Sequence, residues 1–191
     1  MKIIVVVLGN AGHGKSRFAD MLVESVLSAE VINFADEVKL AARHLIGIPL
    51  SVSHGSQKTK NETLYYGKSV RHWLQWLGTE VGRIGVDRDV WVDRFLDRVD
   101  ESSKTMIVVG DGRFPDTDIY GLKERAVERD LRVVSVIIRR RAVPVTSNHS
   151  SEQVIAKTPD DEFDYKIENN SDLAALRRAA EDLLRQVVKR S

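Results

Sequence analysis

Eight residues near the start of the chain, Gly9-Asn10-Ala11-Gly12-His13-Gly14-Lys15-Ser16, set three glycines, a lysine and a hydroxyl at a spacing suited to gripping phosphate. The glycines let the backbone fold tightly and turn successive N–H groups inward, forming an anion-binding nest. Lys15 is then expected to reach the β- and γ-phosphates, and the Ser16 hydroxyl to ligate Mg2+. Asn10, Ala11, Gly12, His13, Gly14, Lys15, Ser16 and Arg17 together make the expected ATP-binding stretch. Within it His13 fills a variable slot and reads as filler. The plain alternative is a glycine-rich turn between two core elements.

Other candidate groups follow apolar runs. Asp36 comes just after Val31-Ile32-Asn33-Phe34, Asp111 after the run from Lys104 to Gly110, and Arg139-Arg140-Arg141 after the run from Arg132 to Ile138. Open parallel sheets bind ligands beyond the carboxyl ends of their strands, so charged residues there can work on substrate. Asp111 sits where a phosphate-loop fold keeps its second Mg2+ anchor, and Arg113 points into the same crevice. Asp36 has a bland alternative as a helix N-cap. The three arginines could be a solvated charge run, but beside a phosphate loop they read better as a flap closing over phosphates.

The segment Val70 to Arg83 carries two patterns at once. Val70, Trp73, Leu74, Leu77 and Val81 fall on one helical arc, while Arg71, Gln75, Thr79 and Arg83 recur every fourth residue on another. Such a row drifts by only about 40° per step on an α-helix. It offers donors for phosphate or base where a solvated face would show mixed Lys and Glu. An ordinary amphipathic helix is the competing reading, and Trp91 downstream is a substrate wall or simply core.

The elements that must hold these groups are legible from periodicity. Lys2 to Leu8 is a doubly buried strand, and a helix starts at Lys15 and runs on to Leu27, with Phe18, Met21, Leu22, Ser25 and Val26 on one side. A short strand at Val31–Phe34 leads to a helix ending at Ile46, stopped by Gly47 and Pro49. Residues 51–68 read as a polar loop with a short helix near Glu62 to Tyr66. Asp87 to Asp100 is a helix burying Val90, Trp91, Phe95 and Val99. A third strand spans Lys104 to Gly110, a helix Asp116 to Asp130, and a fourth strand Arg132 to Ile138. Tyr165 to Glu168 is a fifth strand, turned by Asn169-Asn170. Ser171 or Asp172 caps a last helix, Leu173 to Val188, whose Leu173, Leu176, Ala180, Leu183, Leu184 and Val187 pack on the sheet. Five parallel strands with helices on both faces result, interrupted by a helical insertion over about 36–103 and a second over about 139–163.

Composition narrows the function classes. A chain of 191 residues, 42% hydrophobic and 30% charged, describes an ordinary globule with a good core. A net charge of +1 gives no global field toward nucleic acid or membrane, so a bound anion is held by local arrangement. The absence of cysteine removes disulfides and thiolate metal sites and suits a reducing cytoplasm. The first apolar run is too short to span a bilayer and reads as a core strand, not a signal peptide.

The chain also resembles the phage-type deoxynucleoside monophosphate kinases, within the nucleoside monophosphate kinase and dephospho-coenzyme A kinase group. The likeness runs nearly end to end through GNAGHGKS (9–16), FADEVK (34–39), RHWLQWLGTEVGR (71–83) with DVW (89–91), DGRFPDT (111–117), HSSE (149–152) and DYKIENNSDL (164–173). It implies a three-layer α/β phosphate-loop fold, strand order 2-3-1-4-5, in one kinase domain with an acceptor-binding insertion and a short lid. It further implies ATP or dATP as donor, Mg2+ held by Ser16 and Asp111, and a nucleoside monophosphate acceptor converted to its diphosphate. Asp36, Lys39, Arg71, Gln75, Arg83, Trp91 and Arg113 would then surround the acceptor. Lys15, Arg113, Arg139 and Arg140 would carry catalysis, with one or more of Arg139 to Arg141 acting from the lid. The expected partners are small nucleotides, with no stable nucleic-acid or membrane partner and a homodimer left open. The place is the cytoplasm, that of the host if a phage encodes the chain. Family members often carry Asn-Glu after the R-F-P turn, where this chain has Asp116-Thr117.

Three rivals share the phosphate loop. A regulatory GTPase needs an N/T-K-x-D motif after a later strand, and the nearest match, Thr59-Lys60-Asn61-Glu62, ends in Glu and precedes the third strand. An ATPase would hydrolyse ATP without a small acceptor. A kinase of another phosphate-bearing acceptor, of the dephospho-coenzyme A type, would share the fold.

Overall fold

The computed structural model describes residues 1–53, 63–143 and 150–189. Thr59-Lys60-Asn61-Glu62 and His149 lie outside them. Five strands form one all-parallel sheet: β1 (Lys2–Leu8), β2 (Ala29–Val31), β3 (Met106–Gly112), β4 (Leu131–Arg139) and β5 (Tyr165–Glu168). Their order is β2-β3-β1-β4-β5, the order expected. The helices are α1 (Lys15–Glu24), α2 (Ala35–Ile46), α3 (Val70–Trp76), α4 (Val90–Glu101), α5 (Leu122–Val127), α6 (Ser150–Lys157) and α7 (Leu173–Lys189). Two π-helical stretches, Leu77–Val86 and Pro115–Gly121, continue α3 and lead into α5. Among the described residues no helix is long and apolar enough to cross a membrane. The chain divides into two compact units, one of Met1–Asn33 with Glu101–Ser191, the other of Phe34–Asp100.

The first unit is built around β1, whose run of Ile, Val and Leu suits a strand covered on both sides. Ile3 to Leu8 are all buried. Alternation sends Ile3, Val5 and Val7 into a core with Phe18, Met21 and Leu22 of α1 and Leu176, Ala180, Leu183, Leu184 and Val187 of α7. Ile4, Val6 and Leu8, equally buried, face the other side, where α5 packs against β4. Each such fully buried side chain contributes about 1.5–3 kcal/mol.

Several boundaries differ from expectation, each for a local reason. β2 is Ala29–Val31 rather than 31–34, because these three residues pair with Met106 to Val108, after which Asn33 turns its carboxamide to accept from the Gly110 N–H at 2.8 Å. β3 starts at Met106 and runs on through Gly112. Val6 pairs with Val109 but Leu8 with Gly112, so β3 carries one extra residue in a bulge. Asp111 therefore lies inside the strand's end instead of past it. β4 likewise runs through Arg139. α1 ends at Glu24, short of Leu27: the Ser25 hydroxyl and N–H turn back onto the Met21 and Leu22 carbonyls, and Leu27 is fully exposed.

At the far end, Asp172 caps α7 as expected, accepting from the Ala175 N–H at 2.8 Å. Leu173, expected in the core, is 62% exposed at the start of α7. The helix expected over 116–130 is a π-helical turn followed by the shorter α5.

The second unit is helical. Val38, Ala42, Ile48, Val70 and Leu77 form its core, with Trp73, Leu74, Val81 and Trp91 packed against them, so the apolar arc read from 70–81 is the buried one. α2 stops where expected: Gly47 adopts φ 79°, and the Gly47 and Ile48 N–H groups return to the Arg43 and Ala42 carbonyls. α4 buries Val92, Phe95, Leu96 and Val99, leaving Val90 and Trp91 half-buried, contrary to expectation. In place of the short helix near residues 62–66, Tyr65 and Lys68 bridge across a tight turn with Tyr66 at φ 51° and Gly67 at φ 74°.

Candidate functional site

The loop between β1 and α1 takes its shape from glycine. Gly9, Gly12 and Gly14 have φ of 149°, 79° and 98°, values that L side chains rarely adopt. Space forbids side chains as well: a Cβ on Gly9 would lie 2.6 Å from the Ile138 carbonyl oxygen, and one on Gly14 the same distance from Asn169 Nδ2. α1 opens at Lys15 with no side-chain cap and no acidic residue in its first turn. Its leading N–H groups and positive dipole end are thus set for an anion. Lys15 Nζ curls over the loop, donating to the Gly9 carbonyl at 2.5 Å and the Asn10 carbonyl at 2.9 Å. Ser16 is exposed and Asn10 buried. Arg17 turns along α1 toward Glu24, 3.5 Å away.

His13 is not filler. It is 5% exposed, and its Nδ1 lies 3.0 Å from the Ile138 carbonyl oxygen, a contact spanning the gap from loop to strand end. The end of β3 approaches the same loop. A Cβ on Gly110 would stand 3.6 Å from Ser16 Cα, and Asp111, the next residue, is half-buried. Among the described residues no group of three acidic, His or Cys side chains could hold a metal by itself. Two hard oxygen donors fit Mg2+, which binds through one or two protein ligands and keeps its other positions for water and phosphate.

Arg113 follows on a turn held by a group that the sequence reading missed. Asp118 is 2% exposed, and its Oδ2 accepts from the Arg113 and Phe114 N–H groups at 2.7 and 3.0 Å. Thr117 Oγ1 donates to its other oxygen at 3.0 Å. The turn after Arg113-Phe114-Pro115 is thus organised from Asp118.

The three arginines separate. Arg139 is committed to α6 and the segment that follows it: Nε donates to Asp160 Oδ1 at 2.8 Å, Nη1 to the Ile155 carbonyl at 2.9 Å and Nη2 to the Thr158 carbonyl at 2.8 Å. These three bonds tether α6 to the end of β4. Arg140 is exposed, and Arg141, also exposed, reaches Glu168 at 3.0 Å. Lys166 bridges Asp160 and Glu168, both at 3.0 Å. Burial works to raise the Asp160 carboxyl, but the hydrogen bonds and charges of Arg139 and Lys166 outweigh it and hold it below the ordinary aspartate value.

In the helical unit Asp36 and Lys39 come together, with Lys39 Nζ 2.9 Å from Asp36 Oδ1. The other Asp36 oxygen takes Arg98 Nη1 at 3.3 Å, a partner on α4 with no motif to announce it. Asp36 lies within the first turn of α2 and is not its cap; that position is Phe34. Arg71, Gln75, Thr79 and Arg83 are all half-buried, unlike a fully solvated face. Trp91 packs on the π-helical stretch, its Nε1 donating to the Gly78 carbonyl at 2.8 Å. Of the residues missed, Asn169 had a usable signal: it follows β5 as Asp111 and Arg139 were thought to follow β3 and β4. Its Nδ2 donates to the His13 carbonyl at 2.9 Å.

No protein-family model matches the chain, and no curated protein matches its sequence. Solved structures do match its fold. The tunicamycin resistance protein of Deinococcus radiodurans superposes with a TM-score of 0.54 at 16% identity, covering 98% of this chain and 96% of its own. Shikimate kinase from Acinetobacter baumannii, in complex with shikimate, gives 0.53 at 16% identity over 100% and 95%. APS kinase from Mycobacterium tuberculosis, in complex with AMPPNP and APS, gives 0.53 at 13% identity over 97% of each chain. At these identities the likeness is one of fold: this chain has the fold of the phosphate-loop kinases.

Proposed function

We propose that this chain transfers the terminal phosphoryl group of ATP, or dATP, to a nucleoside or deoxynucleoside monophosphate, giving the diphosphate. The observation that carries the reading is the phosphate loop itself. Three left-handed glycines, an uncapped helix start and Lys15 bring donors to one turn, with Ser16 next in the helix. Support for a small acceptor comes from the fold shared with shikimate kinase and APS kinase. Support for an anionic one comes from the half-buried donors Arg71, Gln75 and Arg83 and the Asp36–Lys39–Arg98 group.

In this reading the loop N–H groups and Lys15 hold the donor's phosphates. Mg2+, when bound through Ser16 and Asp111, neutralises charge on their oxygens. Arg71, Gln75 and Arg83 hold the acceptor's phosphate, an oxyanion at neutral pH that needs no general base to attack. Arg113 and Arg140 offset charge that spreads over the transferring group. Arg139 acts at one remove, by fixing α6.

The test is a panel of ribo- and deoxynucleoside monophosphates incubated with ATP and Mg2+. Stoichiometric diphosphate formation is expected with at least one of them, and Lys15→Ala should abolish it while the circular dichroism spectrum is kept. ATP hydrolysis at the same rate with and without every monophosphate would defeat the transferase reading. Transfer only to a different phosphate-bearing molecule, such as dephospho-coenzyme A, would defeat the acceptor assignment.

A further inference from the structure

The phosphate loop is gripped from two strand ends by a pair of side chains outside the glycine-lysine motif. His13 Nδ1 meets the Ile138 carbonyl at the end of β4, and Asn169, just past β5, donates Nδ2 to the carbonyl of His13 itself. One residue is therefore held through both its ring and its backbone. The Ile138 oxygen can only accept, so Nδ1 must carry the proton. The other nitrogen supplies a second reason. Nε2 is buried, and no described group is within hydrogen-bond reach of it. A proton there would leave a buried donor without an acceptor, a costlier state than an unfilled lone pair.

We infer that His13 and Asn169 are positioning residues of the phosphate loop. They fix, in advance of nucleotide, the turn whose N–H groups receive the phosphates, and His13 does so as the Nδ1–H tautomer. The proposal rests on the nucleotide-binding reading above and names the residues that make the cradle rigid. Its surroundings agree: the same Ile138 oxygen and Asn169 amide are the groups that exclude a Cβ from Gly9 and Gly14. The Asn169 N–H also donates to the Arg139 carbonyl at 2.8 Å, beside the guanidinium that tethers α6. A loop fixed beforehand loses less freedom on binding, so releasing either grip should appear as weaker nucleotide affinity.

The experiment has two parts. Long-range proton–nitrogen NMR of the free protein reads the His13 tautomer without any nucleotide, and the Nδ1–H form is expected; the Nε2–H form would overturn the proposal. Calorimetry with ATP and Mg2+ then compares variants. In His13→Asn the side-chain amide can stand where Nδ1 stands, whereas in His13→Gln it is displaced. His13→Gln and Asn169→Asp should each bind ATP about tenfold more weakly, and His13→Asn should recover most of that loss. Undiminished ATP affinity in His13→Gln, judged folded by its melting transition, would reduce the contact to packing and sink the idea. Should His13→Gln fail to fold, Asn169→Asp reads the same grip from the carbonyl side. Failure of the parent reading looks different: the unsubstituted chain then binds no ATP although its His13 tautomer is as stated.

Discussion

At the scale of single residues, type and position along the motif set the candidate list, but neighbours set the job. Lys15 could be singled out from sequence because its place over the loop follows from backbone geometry that the glycines impose. The places of Arg139 and His13 could not be read that way, since the carbonyl groups they meet are brought in by folding from distant positions. The acceptor stripe is the residue-level claim most open to test. Its side chains are half-buried, so losing one removes a charged hydrogen bond in a partly shielded place. Arg71→Ala should cost about 1.5–3 kcal/mol in acceptor use, measured as kcat/KM for the monophosphate, with KM for ATP little changed. Unaltered acceptor kinetics would return the stripe to a plain helix face.

At the scale of elements, glycine and tryptophan decide the geometry after Trp76. An α-helical row at every fourth residue overshoots each turn; the wider π-turn over Leu77–Val86 takes up that overshoot and alters the spacing between Gln75, Thr79 and Arg83. Gly78, Gly82 and Gly85 weaken the α-helical preference there, and the Trp91 ring lies where a Cβ on Gly82 would fall, 2.5–2.6 Å from three of its atoms. Gly82→Ala should therefore destabilise the protein by about 1–3 kcal/mol in urea unfolding, through overpacking against Trp91. A neutral result would mean that the ring moves aside freely.

The β4–β5 pairing offers a pH test. Asp164 accepts from the N–H and hydroxyl of Ser135, both at 2.8 Å, one position before the strands pair. Burial would raise its carboxyl, but those bonds and Lys123 prevail and lower it. A carboxyl that titrates lower folded than unfolded stabilises the fold above the ordinary aspartate range. That stabilisation is lost as pH falls through the range toward the folded value. Asp164→Asn should flatten the acid limb of the stability–pH curve between about pH 5 and 2; an unchanged limb would assign the acid sensitivity to other groups.

At the scale of the whole molecule, binding and folding are linked, so ligands can be read from stability. ATP with Mg2+ at a hundredfold excess over its dissociation constant should add about 2.7 kcal/mol, seen as a higher melting temperature. The shift should vanish in Lys15→Ala, and a shift of the same size in that variant would mean that ATP binds elsewhere.

The sequence by itself determined the strand count, the glycine-shaped turn after β1, the stop of α2 at Gly47, the Asp172 cap and the buried face of α3. These depend on local propensity, periodicity and turn chemistry, all carried within a few residues. Tertiary structure alone decided that β3 bulges to draw Asp111 into its end, that Arg139 tethers α6, and that His13 and Asn169 grip the loop. Each is a hydrogen bond or pairing fixed by which backbone groups packing leaves within reach. They bring together residues up to 156 positions apart, a separation across which no local pattern carries information.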